Sequence, residues 1–316
     1  MIDKKKLYQW CSVPAAELMD HPERKVPLKI VKDAGELGEV MAREFVDDIK
    51  LANAEGRNYK AIVPCGPKEW YAPFVRMVNV ENVSLKRMTV FHMDENLDWE
   101  GKMLHQEDPS NFQTFMKKFF YGPIREELAV PEEQRFFLTP ENYSHISKMI
   151  LHTEIDYTLG GWGQDGHVAF NQARRDPYSS VTLDDIRNST ARIQNNNTDT
   201  ILALAHRSFG SAWQFMPPMS LTLGVKECFR AKKIRVYSAT GAWKQTALRV
   251  ALFSEMTPEY PMTLLPVSYT HLDVHKRQQR EEPLQRWEMR LQEKRLLLEW
   301  MQKQPHVREF LLEHSL

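Results

Sequence analysis

The chain has 316 residues, 42% of them hydrophobic, enough to bury one large core or two modest ones. Its 42 Lys and Arg balance 42 Asp and Glu to a formal net charge of zero, so no basic stripe announces nucleic acid. No apolar run is long enough to span a bilayer, and Lys4-Lys5-Lys6 lacks the apolar segment of a secretory signal behind it, which gives no membrane partner.

Cys11, Cys65 and Cys228 are far apart without C-x-x-C spacing, and His92, His105 and His145 show no H-x-x-x-H pairing. These patterns fit a reducing cytoplasm and predict neither a disulfide framework nor a zinc site.

In chain order, residues 34–54 place Leu37, Val40, Met41, Phe45 and Ile49 at helical spacing, which predicts an amphipathic helix. The apolar run Ala61-Ile62-Val63 reads as a strand emptying into Pro64-Cys65-Gly66-Pro67-Lys68-Glu69. A second strand over residues 88–93 ends in Asp94 and Glu95. Alternation sends these two acids to opposite sides, and a crevice holding both would raise one pKa by mutual repulsion. Alone, such a pair reads more readily as a solvated strand end. Helical patterns follow at residues 110–120 and 143–151, and Trp70, Phe74, Phe115, Met116 and Phe119 read as core packing.

The strand over residues 155–159 opens into Gly160-Gly161-Trp162-Gly163-Gln164-Asp165-Gly166-His167. Glycines let a backbone approach a ligand closely, and an acid two residues from an imidazole can share a proton-transfer task. The glycines also fit the letter of a dinucleotide fingerprint, which requires a helix directly behind them; Asn171, Arg174, Arg175, Asp176 and Pro177 argue against one. A polar stretch over residues 182–208 precedes a last strand at residues 234–237, after which Lys244 sits in the first turn of a helix, an arrangement suited to an anion. Strands alternating with helices predict an α/β fold: three layers, Rossmann-like, with a mostly parallel sheet and helices on both faces.

The run Gly161 to Asn171, with Asp165-Gly166-His167 followed by Val168-Ala169-Phe170-Asn171, resembles the signature of the glucosamine-6-phosphate deaminase/isomerase family. Met93-Asp94-Glu95, the Ser110-Asn111-Phe112 segment with Phe115 and Met116, and the strand-turn-helix bearing Lys244 are similar to further family blocks. The resemblance implies that Asp94 is the proton-abstracting base, that His167 held by Asp165 serves ring opening, and that Lys244 holds the substrate phosphate. Gly66, Lys68 and Gly163 join the expected substrate-binding set. The substrate expected is a small-molecule sugar phosphate, with no metal or redox cofactor, and relatives are often oligomers. In relatives, a region comparable to residues 182–208 moves over the site.

Two departures stand against the resemblance. The family's hydroxyl-rich phosphate loop is replaced by Pro64 to Glu69, where Pro67 has no N–H and Glu69 brings a negative charge. The glutamate expected after Asn171 is Gln172, which cannot shuttle a proton but can accept a hydrogen bond from His167. Arg187, Arg192 and Arg207 are candidates for a phosphate-binding arginine. The expected activity is aldose-ketose isomerisation with deamination of an amino sugar phosphate; the alternatives are a 6-phosphogluconolactonase-like hydrolase and a sugar-phosphate-binding regulator with weakened catalysis.

The resemblance covers residues 28–265, giving a single domain over residues 1–265. Residues 266–278 resemble a translated adaptor sequence, so residues 266–316 are expected to be a tail behind a non-native junction. Within it, Leu284, Trp287, Leu291, Leu298 and Met301 fall on one face of a charged amphipathic helix. A junction of that kind leaves the sheet one strand short and its neighbour an exposed edge.

Overall fold

The computed structural model describes residues 2–173, 181–239, 242–265 and 270–275. A compact unit runs Met1–Gln278, and a second, Gln279–Leu316, lies outside the described residues together with the helix expected from Glu281 onward. Strands and α-helices run in the order α1 (Lys4–Ser12), β1 (Leu28–Val31), α2 (Ala34–Ala54), β2 (Tyr59–Val63), α3 (Tyr71–Val80), β3 (Met88–His92), β4 (Asp94–Leu97), α4 (Phe112–Met116) and β5 (Arg135–Phe136). There follow α5 (Tyr143–Leu151), β6 (Tyr157–Gly161), α6 (Leu183–Arg187), β7 (Arg192–Asn195), α7 (Thr198–Ser208), β8 (Met219–Thr222), α8 (Val225–Cys228), β9 (Lys233–Ser238), α9 (Gln245–Phe253) and β10 (Thr270–His275).

The main sheet has seven parallel strands in the order β1-β10-β9-β6-β2-β3-β5. Alternation along each strand feeds two cores. Ala61, Val63, Val90, Leu159 and Tyr237 face α2 and α3, while Ile62, Phe91, Ile234 and Val236 face α5 and α9. The result is the three-layer Rossmann-like α/β architecture expected from the strand-helix alternation. The residues predicted to pack in the core divide: Trp70, Phe74 and Met116 are buried, whereas Phe119 is 45% exposed, beyond the end of α4.

Helix α2 starts where the Asp33 carboxylate accepts from the Glu36 N–H at 2.9 Å and buries Leu37, Met41, Phe45 and Ile49. Phe45 is fully buried against the rings of Tyr59, Trp70, Phe74 and Tyr157. Phe45→Ala is therefore expected to cost about 3–5 kcal/mol, read as a lowered urea midpoint with an unchanged slope.

A second, three-stranded antiparallel sheet, β4-β8-β7, begins where β3 ends, with Asp94 opposite Thr222 and Arg192 opposite the same threonine. The strand position that a non-native junction would leave empty is filled, since β10 pairs with both β1 and β9. Thr270-His271-Leu272-Asp273-Val274-His275 alternates polar and apolar residues with period two, which suits a strand whatever its origin. Among the described residues no helix is long and apolar enough to cross a membrane.

Candidate active site

From β2 the chain steps outward through β3 to β5, then returns to β6 and steps the other way through β9 to β10. In parallel sheets the crevice at such a reversal, beyond the carboxyl ends of the strands, is where ligands bind. A cavity of about 360 Å³ lies there. It is walled by the loop after β2, Asp94 after β3, the glycine turn after β6, α7, and the segment before α9.

The turn after β6 is a tight hairpin. Trp162 bridges Val168, the Gly163 N–H donates to the His167 carbonyl at 2.9 Å, and the Gly166 N–H to the Gly163 carbonyl at 3.0 Å. Gly166 has φ +73°, a left-handed conformation that favours glycine. Residues 167–173 hold no helix, so the dinucleotide reading fails on its own requirement. Gly163 has a packing role: a Cβ there would sit 2.1 Å from His167 Cε1 and 2.3 Å from Nδ1. The bare backbone is what lets the imidazole fold over the turn.

That folding brings His167 Nδ1 to 2.5 Å from Asp165 Oδ1 and lays the ring over Phe170, with centroids 6.2 Å apart. Asp165 is 2% exposed. Burial opposes its charge, but the His167 imidazole, with its ring and backbone hydrogen bonds, outweighs this and holds the carboxyl below its ordinary value. With Nδ1 engaged, Nε2 is left to serve a ligand in the cavity that His167 lines.

Asp94 lines the same cavity, and Glu95 does not. As alternation predicted, Glu95 turns the other way, where its carboxylate accepts from the N–H groups of Phe112 and Gln113, both at 2.7 Å, and of Asn96 at 2.9 Å. It clips the first turn of α4, and Phe112 reaches the cavity wall from there. Burial pushes Glu95 upward, opposed by these three donors. Burial, then the neighbouring Glu95 charge, push Asp94 up to about 7, with His167 pulling the other way. A carboxylate so tuned can take and return protons near neutral pH.

Cations line the cavity as well. Lys244 is 9% exposed, donates to the Trp162 carbonyl, and lies 5.7 Å and 5.5 Å from the Trp162 and Trp243 ring centroids. Burial and then the Arg207 charge lower it to about 7. Arg207 comes from α7 and stands 5.0 Å over the Trp243 ring. The Lys68 ammonium sits 3.6 Å from the Phe115 ring centroid. Gly66, Lys68, Arg207 and Lys244 all line the cavity.

Of the three arginines singled out, Arg207 alone lines the cavity. Arg192 is tied to the Asn171 side chain at 2.9 Å and Arg187 to Asp184 at 3.0 Å. Gln172 does not meet the expectation placed on it: its amide donates to Thr200 Oγ1 at 2.7 Å and its oxygen accepts from the Asn197 N–H at 2.9 Å. It secures the start of α7 instead of holding His167. Burial pushes the Cys65 thiol up to about 12, which rules against a nucleophilic thiolate. Trp162, Trp243 and Thr200 on the wall were not picked out from sequence, although Trp243 adjoins Lys244.

No family model matches the chain. A glucosamine-6-phosphate deaminase of Serratia proteamaculans (strain 568) is 30% identical over 239 residues, 72% of this chain and 81% of that protein. The glucosamine-6-phosphate deaminase of Caenorhabditis elegans is 29% identical over 227 residues, 71% and 80%. Among solved structures, a monomeric glucosamine-6-phosphate deaminase matches with TM-score 0.65 at 20% identity, covering 79% of this chain and 98% of that one. The 6-phosphogluconolactonase from Trypanosoma cruzi matches with TM-score 0.56 at 15% identity, covering 84% and 99%.

The architecture is thus that of the α/β enzymes that include glucosamine-6-phosphate deaminases and 6-phosphogluconolactonases. Within that class the chain belongs to the glucosamine-6-phosphate deaminase family, as a divergent member.

Proposed function

We propose that this chain opens and isomerises an amino sugar phosphate, glucosamine 6-phosphate or a close relative, releasing ammonia and a ketose phosphate. The observation that carries this reading is one cavity lined both by proton-transfer groups, Asp94 pushed up to about 7 and His167 paired with Asp165, and by the cations Lys68, Arg207 and Lys244.

His167 moves the proton between the ring oxygen and the anomeric hydroxyl, and Asp165 steadies the imidazolium. Asp94 then removes the C2 proton to give an enediol-like species and returns it at C1. The resulting C2 imine takes up water and loses ammonia, leaving the ketose. Phosphate is held by Lys244 and Arg207, with Lys68 in support. The loop's missing hydroxyls weaken that grip without removing it, since the cations supply the charge.

The pH profile follows from signs. Asp94 works as a base only when ionised, so kcat/KM rises as pH rises through about 7. Lys244 grips phosphate only when protonated, so kcat/KM falls as pH rises through its own value of about 7. The expected result is a narrow bell centred near 7. Bound phosphate favours the ammonium, so the alkaline limb moves upward in the profile of kcat.

A lactonase reading has support in the His167–Asp165 pair on the cavity, which also suits activation of water, and in the fold likeness to a 6-phosphogluconolactonase. Ammonia release from glucosamine 6-phosphate and hydrolysis of 6-phosphogluconolactone, assayed side by side, separate the two. Lactone hydrolysis without ammonia release would replace the deaminase reading.

A further inference from the structure

Arg207 is placed differently from the other two cations of the cavity. Lys244 is fixed by donating to the Trp162 carbonyl, and the Lys68 ammonium rests on the Phe115 ring. The Arg207 guanidinium makes no hydrogen bond or ion pair among the described residues, although the charge of Glu69, which lines the same cavity, acts on it. What meets it is the Trp243 ring, whose centroid lies 5.0 Å from the guanidinium carbon. Arg207 belongs to the last turn of α7 and Trp243 to the segment before α9, so this contact joins two separate elements.

The same ring lies 5.5 Å from Lys244 Nζ. Two like charges brought to one ring repel each other, and the negative face of the indole offsets part of that cost. A ring face also holds a guanidinium without using its N–H donors, which stay free in the planar fork that pairs with phosphate oxygens. A carboxylate in the place of the ring would hold the arginine but cancel its charge. We infer that Trp243 is a positioning residue, whose ring holds the Arg207 guanidinium beside Lys244 with its donors unspent, so that both cations meet the phosphate of the ligand. That the ligand is a phosphate ester rests on the proposed function; the role of Trp243 is measured without turnover.

The test is calorimetric titration of inorganic phosphate into the wild-type chain, Trp243→Leu, Trp243→Phe, Arg207→Gln and the double variant Arg207→Gln with Trp243→Leu. The titrations are run at pH 6, below the value of about 7 at which Lys244 loses its proton. Leucine keeps an apolar side chain without a ring, and phenylalanine keeps a ring face. Lys244 has its own anchor in the Trp162 carbonyl, so the loss of the Trp243 ring falls on Arg207.

Trp243→Leu is expected to weaken phosphate binding about fivefold, and Trp243→Phe to stay within about twofold of the wild type. In the Arg207→Gln background the leucine substitution is expected to add less than about twofold, because the arginine it acts through is gone. Rescue by phenylalanine and the missing effect beside Arg207→Gln are results that a loss of general packing does not produce. Unchanged binding in Trp243→Leu, equal losses in the leucine and phenylalanine variants, a full further loss in the double variant, or no phosphate binding by the wild type overturns the proposal. The expected ratios without ammonia release from glucosamine 6-phosphate uphold it and sink the deaminase reading alone.

Discussion

Asp94→Asn lowers kcat by about 10²- to 10⁴-fold on an amino sugar phosphate, with KM and the melting temperature little changed. Asparagine keeps the shape and polarity of the side chain but cannot carry a proton away from carbon. The neighbouring acid cannot replace it, because Glu95 points away from the cavity and is occupied by three backbone N–H groups. The loss therefore falls on the chemical step and on kcat. Removing the charge also relieves its repulsion with buried Glu95, so the variant is expected to fold at least as stably as the parent. A large rise in KM at constant kcat would instead place Asp94 in substrate binding.

Gly163→Ala lowers kcat/KM about 100-fold through the position of His167, without touching substrate itself. The added Cβ would overlap the imidazole at 2.1–2.7 Å, so either the ring swings off the turn or the turn opens. Both movements break the 2.5 Å contact between His167 and Asp165, which fixes the tautomer that leaves Nε2 to the ligand. The variant is distinguished from a general folding defect by its circular dichroism and by binding of inorganic phosphate, since the cations Arg207, Lys68 and Lys244 come from α7, the loop after β2 and the segment before α9 rather than from the glycine turn. Near-parental activity would show that the ring position is not what the glycine protects.

Much of the main sheet was legible because its strands are short apolar runs. Residues 61–63 are continuously apolar, residues 88–93 and 234–237 are mostly apolar, interrupted by Thr89, His92 and Arg235, and the helix at residues 34–54 has both a clear period and an aspartate at its start. The second sheet was not legible. Asp-Glu-Asn-Leu, Arg-Ile-Gln-Asn and Met-Ser-Leu-Thr are short and largely polar, and Asp94 finds its partner Thr222 only after more than a hundred residues of chain.

The site divides in the same way. Asp94, Asp165, His167 and Lys244 stand in local motifs that announce themselves, and the structure brings Asp94, His167 and Lys244 to one cavity with Asp165 behind His167. Arg207 was one of three arginines with nothing local to choose among them; the packing of α7 over the strand ends makes the choice. Gln172 follows the signature directly, yet its amide secures α7, a contact set by residues 25 and 28 positions away.

The most direct test of the account is the amount of ammonia and ketose phosphate formed from glucosamine 6-phosphate by the purified wild-type chain, beside Asp94→Asn under the same conditions. Equal amounts of both products are expected from the wild type, with their near-complete loss in the variant. Folded wild-type protein that binds the sugar phosphate but forms neither product, or an Asp94→Asn variant as active as its parent, would contradict it.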